Sequence, residues 1–504
     1  MSKALLALLL FLCLASPTRA DEFSEIGVNL AGGEFGKGLG VFNKDYTYPT
    51  SKQFDYCQSK GISIVRVPFK WERVQPQLMG PLNDEEVKRL QAVIDLGKQR
   101  GILVLLDMHN YARYNGKLIG TEDVPNTAYA DVWQKLATAF KDEGDRLAYG
   151  IMNEPHGTKG LWPAAAQAAV DAIRSVDQTH YITVNGDGYS GAHSWRKLNE
   201  TLLLNDPADK LIYEAHQYFD HNNSGTYTKT YDTDGVTPET GVKRLQPFFD
   251  WLKEHNKRGM IGEFGIPDND PRWLVVMDNA LAAMKKHNVG GTYWAAGGWW
   301  GKYPLSIEPK DGQDRPQMAV LDYYLSDSPD PSKKPWLDAA RLADTDAEKA
   351  RQDDETLGKR IYDFRDKAES YHYKNEESTF TSELSTEGET RSRIIKIRHN
   401  GNPAYVGFGM YFGTLKLTGA TQFILDTKAE TSCSLEVKIH TTTGKKYSHS
   451  YNITQDWQPL NIPFTDFKNN SDSLASTDQI QKIELQPSTT KTGNTLYMTT
   501  FRLK

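Results

Sequence analysis

Short apolar runs alternate with longer amphipathic segments between Asp21 and about Leu325. A continuous apolar run predicts a strand buried on both faces, whereas apolar residues at a spacing of three and four predict a helix. The predicted strands are Ile26–Ala31, Ile62–Val67, Ile102–Asp107, Leu147–Met152, Tyr181–Val184, Leu211–His216, Met260–Gly262 and Gly291–Trp294. The helical segments between them include Glu85–Arg100, Tyr129–Glu143, Trp162–Val176 and Trp273–His287. Eight strand–helix units in about 300 residues predict an α/β fold, the parallel (β/α)8 TIM barrel.

The pattern changes after Leu325. Residues 329–360 begin with a proline-rich polar stretch and continue into a charged, alanine-containing segment, which predicts a partly helical linker. From Ile361 to Lys504 apolar residues recur at every second position, as in strands with one buried face. The clearest runs are Arg393–Arg398, Thr421–Asp426, Ser434–His440, Lys482–Gln486 and Leu496–Arg502. Residues 361–504 are therefore predicted to form an all-β, jelly-roll-like sandwich.

The first twenty residues have the pattern of a secretion signal. Lys3 is followed by an apolar stretch from Ala4 to Ala15 and then by small residues up to Ala20. The stretch is too short to span a bilayer, so no membrane attachment is expected after cleavage. We therefore predict a signal peptide at residues 1–20, a catalytic barrel at residues 21–328, and a secreted, extracellular protein.

The composition indicates which kinds of molecule the protein can bind. The chain of 504 residues has a net charge of −6 and no basic stripe, which argues against nucleic acid. Its 11 tryptophans and 25 tyrosines provide flat side chains that can stack on sugar faces. The chain is expected to act as a monomer.

Two predicted barrel strands run into a glutamate. Asn153-Glu154-Pro155 follows the apolar run that begins at Leu147, and Glu263 lies in the similar run Gly259–Gly265. Catalytic residues of a TIM barrel lie at the carboxyl ends of its strands. The structural alternative is an ion pair at the barrel rim. Two glutamates in such positions suggest the carboxylate pair with which most glycosidases cleave a glycosidic bond.

Other predicted strand ends carry polar or aromatic residues that suit the same site. Arg66 ends the second strand and can hold a carboxylate ionised through a charge-assisted hydrogen bond. The others are His109 and Asn110 after the third strand, His216 and Tyr218 at the sixth, and Trp294 at the eighth. Each residue taken alone is more often a satisfied core or rim residue. Rim ion pairs, however, do not require this assortment.

The motifs at these strand ends resemble, in order and position, those of glycoside hydrolase family 5, the retaining cellulase family. They are Arg66-Val67-Pro68-Phe69, Asp107-Met108-His109-Asn110, Asn153-Glu154-Pro155, His216-Gln217-Tyr218, Gly262-Glu263-Phe264-Gly265 and Trp294. Two further stretches are similar to the endoglucanase branch: Gly27-Val28-Asn29-Leu30-Ala31-Gly32-Gly33-Glu34-Phe35-Gly36 and Trp71-Glu72-Arg73. The resemblance covers about Asp21 to Leu325.

The resemblance implies that Glu154 is the general acid/base and that Glu263 is the nucleophile. Glu154 must donate a proton to the leaving oxygen, whereas Glu263 must be ionised to attack, so their environments should push the two pKa values apart. Arg66 and Tyr218 would hydrogen-bond Glu263. No metal and no other cofactor is needed for this mechanism.

The resemblance also implies a substrate-binding set around this pair. Asn153 would bind the sugar 2-hydroxyl, His109 and His216 would line the same subsite with Asn110 beside them, and Trp294 would form its floor. Four more tryptophans lie near predicted strand ends, where core packing and a sugar platform are both open: Trp71, Trp195, Trp299 and Trp300.

We therefore predict a retaining endo-β-1,4-glucanase that hydrolyses cellulose or related β-glucans by double displacement. A β-mannanase or a xyloglucanase on the same framework is an alternative, because substrate choice lies in loop contacts. A non-catalytic glycan-binding protein is a second alternative, against which the intact pair Glu154 and Glu263 argues. The sandwich loosely resembles carbohydrate-binding modules. Its candidate sugar platforms are Tyr405, Phe408, Tyr411, Phe412 and Trp457.

Overall fold

The computed structural model describes residues 23–326, 329–330, 332–365, 370–374, 378–387, 390–398, 406–469, 472–488 and 493–504. The predicted signal peptide, residues 1–20, lies outside the described residues. The chain divides into two compact units, of which the first ends at Asp344 and the second runs from Thr345 to Lys504. No helix among the described residues has the length and apolar character that crossing a membrane requires.

The first unit is a closed barrel of eight parallel strands that follow one another around the ring in chain order. The strands are Ile26–Leu30, Ile64–Phe69, Leu103–Met108, Leu147–Gly150, Tyr181–Asn185, Leu211–His216, Gly259–Phe264 and Gly290–Ala296. The ring closes where the first strand pairs with the eighth, with Ile26 opposite Gly291. The predicted TIM barrel is confirmed, and all eight predicted strands are present.

The helices of the first unit are Ser51–Ser59, Trp71–Val74, Asp84–Arg100, Asn126–Phe140, Trp162–Arg174, Trp195–Asn199, Tyr231–Asp234, Thr240–Glu254, Arg272–Lys286 and Pro316–Leu325, with short 3-10 turns at Gly144–Arg146 and Ala192–Ser194. A further helix, Pro335–Leu357, begins in this unit and continues past Asp344 into the second. Local signals set their ends. The Asn83 side chain caps the helix Asp84–Arg100 by accepting from the amides of Glu85 and Glu86. Gly101, at φ +70°, ends it in the left-handed conformation. A hairpin of Arg113–Tyr114 and Lys117–Leu118 lies after the third barrel strand.

The barrel interior has an apolar layer below a polar layer. A buried cluster that includes Ile64, Leu105 and Ile212 fills the lower layer. Two residues further along the same strands stand Arg66, Asp107 and Glu214, all fully buried. Side chains two apart on a strand point to the same face. The lower layer therefore supplies packing, and the layer above it presents charged groups towards the carboxyl ends of the strands.

The second unit is an antiparallel β-sandwich. One sheet has the order Thr379–Glu387, Thr390–Arg398, Asn494–Leu503, Gln422–Ala429 and Gln458–Pro463, with Lys359–Asp363 also paired to Asn494–Leu503. The other sheet has the order Tyr371–Tyr373, Gly407–Lys416, Gln479–Pro487, Cys433–Thr441 and Lys446–Ile453. A small ladder joins Lys468–Asn469 to Asp472–Ser473 beside the turn Phe464–Asp466. The predicted sandwich is confirmed, and its core is one apolar cluster that includes Phe408, Val437 and Phe501.

Candidate active site

Glu263 lies near the carboxyl end of the seventh barrel strand, where both of its carboxylate oxygens have donors. Nη1 of Arg66 donates to Oε1 over 3.1 Å, and the Tyr218 hydroxyl donates to Oε2 over 2.8 Å. Burial raises the pKa of Glu263, and Glu154 adds to this, while the charges of His216 and Arg66 lower it. Burial and the neighbouring Glu263 also raise the pKa of Tyr218, so the phenol keeps the proton that it donates.

Glu154 follows the fourth strand in a left-handed backbone conformation, with φ of +46°. Its amide donates to Oδ1 of Asn185 over 3.1 Å, which fixes this turn at the rim. Its Oε1 lies 2.9 Å from Nδ1 of His216. One carboxylate oxygen of Glu154, one ring nitrogen of His216 and one carboxylate oxygen of Glu263 all lie within 4.8 Å of one another. Retaining glycosidases hold their two carboxyl groups about 5–5.5 Å apart, and inverting enzymes hold them about 6.5–9.5 Å apart.

His216 lies between carboxylates on both sides of its ring. Nδ1 faces Glu154, and Nε2 lies 3.2 Å from Oε1 of Glu214. Because carboxylates only accept, both ring nitrogens carry protons, and the imidazole is a cation. Burial lowers the pKa of His216, but the charge of Glu263 and the hydrogen bonds to Glu154 and Glu214 raise it to about 10. Burial likewise opposes ionisation of Glu214, yet Arg66 and His216 lower its pKa to about 2.

Arg66 connects the carboxylates of the polar layer. Its guanidinium forms ion pairs with Asp107 at 3.0 Å, Glu214 at 2.8 Å and Glu263 at 3.1 Å. It also donates to Oδ1 of Asn153 over 2.7 Å and to Oδ1 of Asn29 over 2.9 Å. Burial lowers the pKa of Arg66, but the surrounding carboxylates outweigh this and raise it. A buried charge needs such partners to offset its desolvation.

A second set surrounds His109. Nδ1 of His109 lies 2.8 Å from Oδ2 of Asp107, and Nε2 lies 3.2 Å from both Nδ2 of Asn153 and the Tyr111 hydroxyl. The imidazole and the Trp294 ring stack, with centroids 5.6 Å apart. Asp107 accepts from Nδ1, so Nε2 is an acceptor when the imidazole is neutral. The structure thus brings His109, Asn153 and Trp294 together with the two glutamates.

The Asn110 side chain supports the rim of the barrel, and among the described residues its hydrogen bonds go to partners other than the two glutamates. Its Oδ1 accepts from the amide of Trp71 over 2.8 Å, and its Nδ2 donates to Glu72 over 2.7 Å and to the carbonyl of Arg113 over 3.1 Å. The contacts with Trp71 and Glu72 tie the loop after the third strand to the helix Trp71–Val74, and the contact with Arg113 holds the loop to its own hairpin. Asn110 therefore orients the loop that carries His109.

The four tryptophans whose role the sequence left open divide into two classes. Trp71 and Trp195 are fully buried core residues. Trp299 is 42% exposed after the eighth strand. Trp300 stacks on Tyr303 at 4.4 Å and meets the edge of Trp294 at 5.9 Å. Only Trp299 and Trp300 of the four therefore lie where a sugar could reach them.

A cavity of about 600 Å³ opens beside Glu154. Loops after the fourth, fifth and sixth strands line it, with Tyr189, His193 and Asn222 among the residues. Tyr189 is 54% exposed and stacks parallel to His156, with centroids 4.1 Å apart. Three smaller cavities of about 450, 360 and 380 Å³ are lined largely by residues next to the strand starts, remote from both glutamates.

Four residues of the polar layer were not predicted as site residues: Asn29, Asp107, Tyr111 and Glu214. Two of them had a usable signal. Asp107 precedes His109 by two positions and Glu214 precedes His216 by two, so each pair shares one face of its strand. A predicted inward-facing histidine therefore implied an inward-facing carboxylate below it. Asn29 and Tyr111 carried no comparable signal.

The carboxylate oxygens of Glu154 and Glu263 and a ring nitrogen of His216 lie close enough together to hold a metal ion. Both carboxylates, however, already accept hydrogen bonds, and His216 carries the protons that it donates. His216 donates to Glu154 and Glu214, and Glu263 accepts from Arg66 and Tyr218. A protonated imidazole offers no lone pair to a metal. This arrangement supports proton transfer and nucleophilic attack on a neutral substrate.

The family model for cellulases, glycosyl hydrolase family 5, matches residues 22–299. This match confirms the resemblance inferred from the motifs. A probable endo-beta-1,4-glucanase B of Aspergillus niger is 34% identical over 319 residues, which span 61% of this chain and 92% of that protein.

Solved structures agree with the sequence match. The Pseudomonas stutzeri endoglucanase Cel5A in complex with cellobiose has 47% sequence identity and a TM-score of 0.58, over 60% of this chain and 92% of that one. XacCel5A in complex with cellopentaose has 41% identity and a TM-score of 0.57, over 60% and 99% of the two chains. The residues that the family model matches lie within the barrel unit.

Proposed function

The chain belongs to glycosyl hydrolase family 5, a family of retaining glycoside hydrolases, and we propose that it hydrolyses internal β-1,4 bonds of cellulose or a related β-glucan. The observation that carries the proposal is the close pair Glu154 and Glu263, which have different partners. Glu263 faces fixed donors on both oxygens, whereas Glu154 faces an imidazolium and an open cavity. One carboxylate is thus arranged to attack, and the other to exchange protons.

In the first step, Glu154 gives its proton to the glycosidic oxygen, and the bond between that oxygen and the sugar C1 breaks. A carboxylate oxygen of Glu263 forms a new bond to C1 from the opposite face, which gives a glycosyl ester. In the second step, Glu154 takes a proton from water, and the resulting oxygen attacks C1 while Glu263 leaves. Two inversions at C1 retain its configuration.

Arg66 and Tyr218 support this cycle through Glu263. Burial raises the pKa of the Glu263 carboxyl, which disfavours the ionised form that attacks C1. The donors on both oxygens favour the ionised form and aim it. Those hydrogen bonds remain available when the carboxylate leaves C1 in the second step.

His216 holds a proton next to Glu154. The imidazolium is anchored from below by Glu214, whose pKa is about 2. Its Nδ1 proton faces Glu154 at 2.9 Å, so the acid/base carboxyl lies next to a proton that it can share. We assign to His216 the control of the charge on Glu154 between the two steps.

The remaining predicted residues are proposed to bind the sugar at the reacting carbon. Asn153 is fully buried, and its Nδ2 meets His109 near Glu263, where the 2-hydroxyl would lie. Trp294 stacks with His109 and offers the flat surface on which the sugar ring would rest. In glycosidases, distortion of the sugar ring and hydrogen bonds to the 2-hydroxyl that strengthen in the transition state together contribute several kcal/mol.

We also propose that the C-terminal sandwich binds the polymer. On the outer face of its five-stranded sheet, the rings of Tyr371 and Tyr373 lie across Gly409 and Gly407, where an added Cβ would approach within 2.5 Å. The Tyr371 hydroxyl donates to Glu484 over 2.7 Å. Flat rings beside hydrogen-bonding side chains suit sugar faces and hydroxyls.

The aromatic residues predicted from the sequence as sugar platforms differ in exposure. Phe408 is fully buried in the core, and Phe412 packs against it. Tyr411 is 56% exposed and Trp457 is half-buried, with the Lys428 ammonium 5.6 Å from its ring centroid. Tyr405 lies outside the described residues.

To test the surface formed by Tyr371 and Tyr373, the variant Tyr371→Ala/Tyr373→Ala is mixed with insoluble cellulose. We expect a several-fold larger unbound fraction at an unchanged melting temperature, and an unchanged unbound fraction would reject this surface.

Secretion and a monomeric state are also proposed. The pattern of residues 1–20 supports cleavage after Ala20, which sequencing of the amino terminus of the mature protein would test. The molecular mass in solution tests the monomer.

The experiment that tests the function is sugar release by wild type and Glu263→Ala from soluble cellulose derivative, mixed-linkage glucan, xyloglucan and mannan. We expect wild type to cut the first two fastest and the variant to be at least about 1,000-fold slower on each. Faster cleavage of mannan or xyloglucan would replace the substrate assignment. Binding without cleavage of any polymer would replace the enzyme with a glycan-binding protein.

A further inference from the structure

The loop after the first barrel strand places a glutamate at the mouth of the barrel. Oε2 of Glu34 accepts from the amide of Gly32 over 2.8 Å. Oε1 is buried and has no hydrogen-bond partner among the residues that the structure describes. A buried carboxylate oxygen without a donor is costly, and native structures contain few such groups. The burial of this oxygen therefore calls for a donor that the described residues do not supply.

The backbone on both sides of Glu34 is held by Arg73. Nη1 of Arg73 donates to the carbonyl of Gly33 over 2.6 Å, and Nη2 donates to the carbonyl of Phe35. The guanidinium also lies 3.7 Å from the centroid of the Tyr46 ring. A Cβ added at Gly33 would lie 2.2 Å from the carbonyl oxygen of Pro68, so only glycine fits there. Arg73 thus fixes the backbone from which the Glu34 side chain projects, and the Gly32 amide holds Oε2 of its carboxyl group.

The ring order places Glu34 across the barrel from the cavity beside Glu154. The first strand pairs with the eighth and the second, whereas the cavity is formed by loops after the fourth, fifth and sixth. The edge of the Phe35 ring meets Trp300 at 4.8 Å, and Trp300 in turn meets Trp294 at 5.9 Å. These ring contacts place the loop that carries Glu34 on the side of the site formed by Trp294.

This position decides which part of the substrate Glu34 can reach. Glu154 delivers its proton to the leaving group, so the departing sugars occupy the cavity beside Glu154. The sugars that stay bound to Glu263 extend the other way, past His109 and Trp294. Glu34 lies on that second side, where sugar hydroxyls are the available donors.

We propose that Glu34 is a substrate-binding residue that accepts a hydrogen bond, through Oε1, from a hydroxyl of the sugars on the nonreducing side of the scissile bond. The inference rests on the proposed function, because it requires a glycan in this site. It adds a contact at a carboxylate whose geometry is set by Arg73 and not by the catalytic pair.

The variant Glu34→Gln tests the contact. Its amide oxygen can still accept from Gly32, while an amide nitrogen takes the place of Oε1 and can only donate. We expect KM to rise about tenfold for soluble cellulose derivative and equally for a nitrophenyl β-cellobioside, whose leaving group is not a sugar. We expect kcat to stay within about twofold, since a contact made equally in ground and transition states affects KM alone.

The matched control is Glu86→Gln. Glu86 is also buried nearby, but it accepts from Tyr46 and Tyr48 and has Arg89 as a partner. We expect this variant to lower the melting temperature and to keep the wild-type KM. Glu34→Asp is the second test variant, because it keeps an acceptor on a side chain one methylene shorter, and its KM should fall between those of wild type and Glu34→Gln.

Three results would be decisive against these claims. A wild-type KM in both Glu34 variants, with a lowered melting temperature as in Glu86→Gln, would make Glu34 a brace of the loop and overturn the inference. A raised KM for the polymer alone would place the contact on the leaving-group side and overturn it as well. Absence of cleavage of either substrate by wild type would instead reject the proposed function itself.

Discussion

The hydroxyl of Tyr218 donates to Oε2 of Glu263 over 2.8 Å, on the side of the carboxylate that Arg66 does not contact. Tyr218 follows the sixth strand and Glu263 lies on the seventh, and 45 residues separate them in the chain. The nucleophile is therefore aimed from two directions by donors on different strands.

Tyr218→Phe removes one of these donors and leaves the ring. We expect kcat/KM to fall about 10- to 100-fold, the size of a hydrogen bond to a charged group. Loss of a donor to the ionised form raises the pKa of Glu263 further, so the acid limb of the pH–rate profile should move to higher pH. Measurement of kcat/KM between pH 4 and 8 checks both effects, and an unmoved acid limb would contradict the role of Tyr218.

Glu154→Gln removes the proton donor while its volume is kept. We expect hydrolysis of soluble glucan to slow by about 100- to 10,000-fold. A substrate whose leaving group needs no protonation, such as a dinitrophenyl β-cellobioside, should still react quickly with Glu263 in the first step. A burst of dinitrophenol followed by slow turnover is the expected trace. Equal loss on both substrates would remove Glu154 from the acid role.

His216 makes stability depend on pH above neutrality. Its pKa is raised to about 10 in the folded protein, whereas an unfolded histidine titrates near 6.5. The stabilisation is therefore complete below about pH 6.5 and is lost as pH rises towards 10. Urea unfolding at several pH values should show a decrease of about 3–5 kcal/mol across this range. His216→Asn should flatten that dependence, and an equally steep decrease in this variant would assign the effect to other groups.

Trp336 fastens the start of the helix Pro335–Leu357 to the barrel unit. It is 3% exposed, packs in the core of that unit, and its Nε1 donates to Asp278, which also pairs with Lys334 at 2.8 Å. Trp336→Ala should lower the free energy of unfolding of the barrel unit by about 3–5 kcal/mol. Leu342→Ala is the control on the same helix, since Leu342 is 63% exposed and should cost little. Denaturant unfolding followed by tryptophan fluorescence compares the two, and equal effects would show that the helix start is not part of the barrel core.

The barrel was predictable because continuous apolar runs mark strands that are covered on both faces, and their number and spacing allow few other folds. The strands around Arg66 and Glu263 are such runs, each interrupted by a single charged residue. That interruption is what identified the site. The position of the helix Pro335–Leu357 was less predictable, since its sequence is mostly charged and small residues, and the large buried side chain at its start is Trp336.

The partners of the site residues were harder to predict. Through its Nδ2, Asn29 reaches Gly262 on the seventh strand and Thr292 on the eighth, which are close in the ring but distant in the chain. Tyr111 points to His109 because of a left-handed backbone at the rim, with φ of +56°. Both contacts depend on how the strands are staggered and on local turns. Neither is visible as a pattern of apolar and polar positions.

The hydrogen bonds that join Asn29 to the seventh and eighth strands also determine how much of the chain must be synthesised before the protein can be active. Nδ2 of Asn29 donates to the carbonyls of Gly262 and Thr292 over 2.9 and 3.0 Å, across 233 and 263 residues. A ribosome must therefore release almost the whole barrel before the first strand meets its last neighbour. Contacts between such distant parts of a chain form slowly. The nascent polypeptide therefore cannot hydrolyse a glycan until the residues of the seventh and eighth strands have been synthesised and have joined the first.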